Sequence, residues 1–198
     1  TRKGSPMTPV PVPNHRQPDA PIAPQFLARW SPRAFKPDPV PERDLASMLE
    51  AARWSPSCYN EQPWRFSVAS TPEERDRFLP ALMPANQVWA KHAPVLLFIV
   101  AKKNFSHNGK PNAWASFDCG AAWMALTLQA NRLGLSTHGM AGFSREKASE
   151  ILKLDEKEYE PIAAVALGYR GNPEKFPPDL RERETPGSRK PVAELRLS

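Results

Sequence analysis

Residues 114–142 read WASFDCGAAWMALTLQANRLGLSTHGMAG, and this stretch decides the fold class. From Trp114 to Leu133 the pattern is helical and apolar nearly all round, with Gly134 just past its end as a C-cap. A helix without a wet face belongs at the centre of a molecule or in a subunit interface. The small residues Gly120, Ala121, Ala122 and Ala125 would let a second helix approach closely. A short strand is expected near 136–140, followed by a helix that Ser144 caps and that runs to about Leu154. Residues 162–169, IAAVALGY, read as a buried strand. Upstream, residues 94–102 read PVLLFIVAK, an almost continuous apolar run that predicts a strand covered on both faces.

Nearer the N-terminus, Pro41 suits the first helical position, and Leu45, Met48, Leu49 and Ala52 recur at helical spacing, which predicts a helix over 41–53. Trp54 to Pro63 reads as a loop. Phe66 and Val68 alternate with polar or small residues as in a half-buried strand. Thr71, Pro72 and Glu74 form a capping box with proline at the first position, and the helix they open should reach about Leu82. Strands interleaved with helices predict an α/β or α+β layered domain over residues 25–198. Extended arms are expected at both ends: a proline-rich one over 1–24, with a short helical turn at Gln25 to Ala28 after it, and a second over 171–198. Residues 1–6 precede Met7, which reads as a start position, and are set aside.

Composition narrows the class. The chain has 198 residues and 24 prolines, 11 of them in residues 1–41, against a usual share of about 5%. With 9 glycines and 40% apolar residues the rest is that of a packed globular domain, not of collagen, a mucin or a disulfide scaffold. A sequence pI of about 9.5 raises nucleic acid as a partner. However, Arg2, Lys3, Arg16, Arg29, Arg33 and Lys36 against Asp19 place most of the net +6 in the first 36 residues, and no basic run with interleaved aromatics follows. Neither nucleic acid nor membrane is expected as a partner. The longest apolar stretch, Cys119 to Leu126, is far short of the roughly 18 residues of a span, mean hydropathy is −0.55, and no signal-peptide core opens the sequence. Cys58 and Cys119 lack metal-site or redox spacing and read as reduced thiols, so a cytoplasmic location is expected.

Three segments could carry chemistry. In Arg29-Trp30-Ser31-Pro32-Arg33, proline favours an extended path on which Arg29, Ser31 and Arg33 share one side. Two guanidinium forks flanking a hydroxyl suit a phosphate monoester, although taken alone a solvated basic strand is the simpler reading. In Ser55 to Trp64 (SPSCYNEQPW), two prolines stiffen a loop whose Asn60 and Gln62 each offer donor and acceptor to a flat heterocycle. The alternative there is a surface loop pinned by a core Trp64. In Thr137 to Ser144 (THGMAGFS), two glycines allow close backbone approach by a ligand. His138 could serve as acid or base, though a lone histidine is more often structural. No GxSxG, HExxH or metal-ligand spacing is present, so no metal site is expected.

Together and in this order, these segments resemble the FMN-dependent nitroreductase family. RWSPRAF is similar to its Arg-x-Ser-x-Arg segment, SPSCYNEQPWRFSVAS to its Pro-Ser-x-x-Asn-x-Gln-Pro-Trp-x-Phe segment, and 118–143 to its central helix and the loop beside the flavin. GSRKPVAEL at 187–195 looks like its C-terminal phosphate-binding stretch. The resemblance implies an α+β fold with a central mixed sheet flanked by helices, and an intertwined homodimer with FMN at the subunit interface. It also implies ping-pong transfer of electrons from NAD(P)H through flavin to a nitroaromatic, quinone or related small molecule. By position, Arg29, Ser31, Arg33 and Arg189 would hold the FMN phosphate. Pro56, Ser57, Cys58 and Asn60, with Gln62 beside them, would reach the flavin of the other subunit. Asn86 would meet the pyrimidine edge, and the backbone of Ala141 and Gly142 would lie near N5. No side chain is expected to be catalytic, since the flavin supplies the redox chemistry.

Departures are also expected to matter. Gly187 stands where many members carry a second basic residue and Trp89 where some carry lysine. The gap from about 103 to 113 is short, which predicts a smaller lid and a more open site. The alternatives are a family branch that dehalogenates or fragments a flavin, and a non-enzymatic basic module with a proline-rich docking tail.

Overall fold

The computed structural model describes residues 15–197, so the reading of residues 1–14 lies outside it. Its centre is strand β2, Val95–Lys102. Leu96, Phe98 and Val100 enter one hydrophobic cluster, while Val95, Leu97, Ile99 and Ala101 enter a second on the opposite face. That alternation is the pleat of a strand, and both faces are apolar because both are covered. One face is covered by α2 (Glu42–Arg53) and α5 (Ala115–Arg132) through Leu45, Met48, Ala52, Cys119, Ala122 and Leu126. On the other lie α3 (Pro72–Phe78), α4 (Pro84–Ala90) and α6 (Arg145–Leu152), with Phe78, Trp89 and Ala148.

The sheet is completed by β1 (Trp64–Ala69), β3 (Ser136–Met140) and β4 (Tyr159–Gly168), in the order β1-β2-β4-β3. The α+β class is as expected, but the sheet departs from the expected mixed one: every strand pairing is antiparallel. The reason is topological. In the β2-α5-β3 crossover the two strands run parallel but do not touch, because β4 returns between them and pairs antiparallel with both. Register shifts between Ile99 and Val100, where Pro161 of β4 cannot donate to the ladder and Ile162 is the extra residue of a bulge.

Local rules account for most boundaries. Thr71 and Glu74 form the capping box that opens α3, and the Ser144 side chain accepts from the Lys147 N–H to open α6. The α3 helix ends at Phe78 instead of Leu82, and a 3-10 turn at Leu79–Ala81 contains Pro80, which cannot continue an α-helical ladder. The C-terminal stretch is not extended throughout. It holds α7 (Pro178–Glu182) and 3-10 turns at Pro173–Lys175 and Val192–Leu195, each opening at or beside a proline. The short helix α1 spans Pro24–Ala28. Among the described residues no helix is long and apolar enough to cross a membrane.

At the end of β4 the chain passes close to itself. A Cβ on Gly168 would stand 2.5 Å from Cδ of Pro94, and one on Gly171 would stand 2.8 Å from the Phe35 backbone. Gly168→Ala is expected to destabilise the fold by about 1–3 kcal/mol, since a ring fused to the backbone cannot swing aside. Denaturant melts with an unchanged midpoint would contradict this packing.

Candidate functional site

Residues 29–34 run along the body with strict alternation. Trp30, Pro32 and Ala34 are buried, whereas Arg29, Ser31 and Arg33 are half-buried. The alternation in burial is as expected, and Nη1 of Arg29 stands 3.5 Å from the Ser31 hydroxyl, whereas the charges nearest the Arg33 guanidinium are those of Arg183 and Glu184. The segment is fixed by its backbone. The N–H groups of Arg33 and Ala34 donate to the Glu184 carboxylate at 2.8 Å each, and Nδ1 of His138 donates to the Pro32 carbonyl at 3.0 Å. Burial raises the Glu184 carboxyl above its ordinary range, and those two N–H donors oppose the shift.

The guanidiniums of Arg16, Arg29 and Arg189 gather on this side. Burial first, and then the charge of Arg189, lowers the Arg29 guanidinium below its ordinary value. Burial, Arg189 and Arg29 in turn lower Arg16. Arg33 is lowered by burial and by Arg183, with Glu184 acting the other way. Concentrated positive charge of this kind suits a multiply charged anion.

The loop after β3 is held by α4. The Gly142 carbonyl accepts from the Met83 N–H at 2.9 Å and from Nδ2 of Asn86 at 2.9 Å. A Cβ on Gly142 would stand 2.7 Å from that nitrogen, so the close approach expected of this glycine is made first to Asn86. Ala141 is exposed beside it. His138 ties β3 to the Pro32 carbonyl of the arginine segment, and Ala141–Gly142 with Asn86 follow at the end of the same strand.

Residues 56–62 lie elsewhere in the chain. The Cys58 N–H donates to Oδ2 of Asp118 at 3.1 Å, in the first turn of α5, and Glu61 accepts from the N–H and hydroxyl of Ser106. The Gln62 N–H donates to Oγ of Ser57, and the Gln62 amide donates to Oδ1 of Asn60 at 3.1 Å, so each amide already spends one group on the other. Tyr59, Asn60 and Gln62 have φ of 51°, 55° and 50°. Three left-handed side-chain-bearing residues within four positions mark a strained loop held by its surroundings, and such strain concentrates at functional sites. Pro56 is exposed, and the Tyr59 ring meets Phe105 edge-on at 5.8 Å and His107 at 5.8 Å. The short gap closes on itself as a turn, with Asn104 bridging Pro111 and the Phe105 N–H donating to the Lys110 carbonyl.

The sequence profile of the nitroreductase family matches residues 27–88 and 82–169. The chain belongs to this family. It is 31% identical over 174 residues to an NADH dehydrogenase of Thermus thermophilus, covering 72% of this chain and 83% of that protein. Over 199 residues it is 28% identical to the major NAD(P)H-flavin oxidoreductase of Aliivibrio fischeri, covering 79% and 90%. A crystal structure of an oxidoreductase containing FMN superposes with TM-score 0.88 at 42% identity, over 95% of this chain and 96% of that one.

Against this nitroreductase frame, Trp89 is core: it is 1% exposed, stacks on Phe35 and lies 4.6 Å from the His138 ring. Arg16, Asp118 and Glu184 bond to the backbone of the candidate segments and were not singled out as doing so from sequence. Only the Asp118 location, one turn into a helix, offered any signal. Burial drives Cys119 up to about 12, which leaves it an inert thiol.

His138 reads as structural. Burial pushes its pKa down to about 4, Arg33 and Arg183 add to the shift, and the bonds to Pro32 and Ser31 oppose it. Between 6.5 and about 4 the unfolded chain binds a proton that the folded chain refuses. Stability therefore falls as pH drops through that window and levels off below it, by about 3 kcal/mol in all. His138→Gln should flatten the melting-temperature profile between pH 7 and 4, and parallel profiles for the two proteins would refute the assignment.

Proposed function

We propose that this chain is an FMN-dependent oxidoreductase that takes electrons from NAD(P)H and delivers them to a nitroaromatic, quinone or related small acceptor by a ping-pong mechanism. The observation that carries this reading is the Arg29 guanidinium at the Ser31 hydroxyl, within reach of the charge of Arg189, in a chain of the nitroreductase family. The donor set fits the cofactor: guanidinium forks and a hydroxyl match a phosphate dianion, and exposed Ala141 beside half-buried Gly142 leaves small residues where a flat ring could approach. Arg29, Ser31, Arg33 and Arg189 would hold the phosphate, and Asn86 would stand at the edge of the ring system. FMN, when bound, supplies two-electron transfer between nicotinamide and acceptor. The chain's own part is to bind, orient and wall the site. The exposed rings of Tyr59 and His107, beside Phe105, favour a planar acceptor.

The second half of the site comes from a second copy of the chain in this reading. The loop of Pro56, Ser57, Cys58, Asn60 and Gln62 is tied to the start of α5 through Cys58, and no bond joins it to Arg29, Arg33 or Arg189 among the described residues. On the same helix Phe117 is 73% exposed and Met124 37%, with nothing within 4 Å of a Cβ on Gly120. This apolar stripe supports a homodimer in which α5 is covered by the partner and loop 56–62 reaches the partner's arginine region.

The purified protein should show a flavin absorption band, and the released cofactor should be FMN; a colourless protein that takes up no added FMN would end this reading. Arg29→Ala and Arg189→Ala are each expected to weaken FMN about tenfold or more. Unchanged titrations would remove that residue from the phosphate site. Phe117→Arg should convert a dimer to monomers by light scattering and lower FMN occupancy with it; a dimer that persists would place the interface elsewhere.

A further inference from the structure

The described part of the proline-rich N-terminal arm carries one side chain whose bonds reach both segments of the anion site. Nη1 of Arg16 donates to the Arg29 carbonyl at 2.7 Å and to the Leu27 carbonyl at 3.1 Å, and its Nε donates to the Gly187 carbonyl at 2.8 Å. One planar fork therefore spans two stretches of chain more than 150 residues apart, the one that carries Arg29 and the one that carries Arg189. Nη1 of Arg189 itself donates to the Ser188 carbonyl at 2.8 Å, so its direction is set by the backbone that Arg16 grips. A second tie between the arms, the Val192 N–H donating to Oδ2 of Asp19 at 2.7 Å, holds them together without touching either arginine.

We propose that Arg16 is a positioning residue for the anion site: by binding the backbone of both segments it fixes the separation and direction of Arg29 and Arg189 so that one phosphate can engage both. The inference rests on the reading of Arg29 and Arg189 as phosphate ligands. The physical argument is one of pre-organisation. Three guanidiniums in one place repel one another, and without a rigid tie the two ligand arginines would relax apart and the anion would have to draw them together on binding. A guanidinium is suited to such a tie because its donors form a fixed fork, and a lysine ammonium on a flexible stem cannot reproduce that geometry.

The test compares FMN with riboflavin, which lacks the phosphate, by fluorescence titration of the full chain. Arg16→Ala should weaken FMN roughly tenfold and riboflavin less than twofold, and Arg16→Lys should fail to restore the loss although it keeps the charge. Asp19→Ala, which removes the other tie between the arms, should leave both affinities within twofold. The proposal is overturned if Arg16→Ala leaves FMN affinity unchanged, if it weakens FMN and riboflavin equally, if Arg16→Lys restores full affinity, or if Asp19→Ala reproduces the loss. Failure of the underlying phosphate reading has a different signature: the parent protein would bind FMN and riboflavin alike, and Arg29→Ala and Arg189→Ala would change neither.

Discussion

A strand apolar on both faces cannot stand at the edge of anything. Val95 to Ala101 is buried throughout, so helices must cover both sides of β2 and strands must flank it. With α2 and α5 on one face and α3, α4 and α6 on the other, the remaining freedom is small. The chain leaves β2 for α5, returns as β3, and has to fill the gap between them with β4. That requirement brings Phe35 against Arg170 and His138 against Pro32. The candidate site is thus a by-product of how the layers close, set at one end of β3.

Besides the apolar contacts of Phe176 and Leu180, the two arms are attached by a different kind of force. Glu184, Arg16 and Asp19 all bond to backbone groups of distant segments instead of packing apolar surface. Such bonds fix direction more than they add stability, because each exchanges a hydration bond for a protein bond. The difference in kind suits the proposed job: a ligand for a phosphate would have to be aimed, and apolar packing is non-directional.

Legibility in the sequence follows the same division. The elements that obey local or periodic rules, β2, α5, the Thr71 capping box and the Ser144 cap, are readable because each decision is made within a few residues. The α4 helix is short and carries only Trp89 and Ala90 into the core, too few for a period to show, and Pro80 truncates α3 in a way that a count of apolar spacing overlooks. The antiparallel sheet could not be read because it depends on where β4 inserts. The arginine segment was legible as an alternation around Pro32. Its supports were not: Glu184 lies 150 residues away, and nothing near an arm residue such as Arg16 signals that its partners are carbonyls at 27, 29 and 187.

The strained loop at 59–62 suggests why this division persists. Left-handed Tyr59, Asn60 and Gln62 cost on the order of 1 kcal/mol or more each. The loop persists because Asp118, Ser57 and Ser106 over-determine it through Cys58, Gln62 and Glu61. Asp118 sits on α5, whose outward face, Phe117 to Met124, is apolar and uncovered in one chain. In the proposed homodimer the helix that presents the strained loop is also the one that the partner covers. Association would bury the stripe and deliver the loop in the same step, so a monomer with an intact core would still hold only the arginine half of the site.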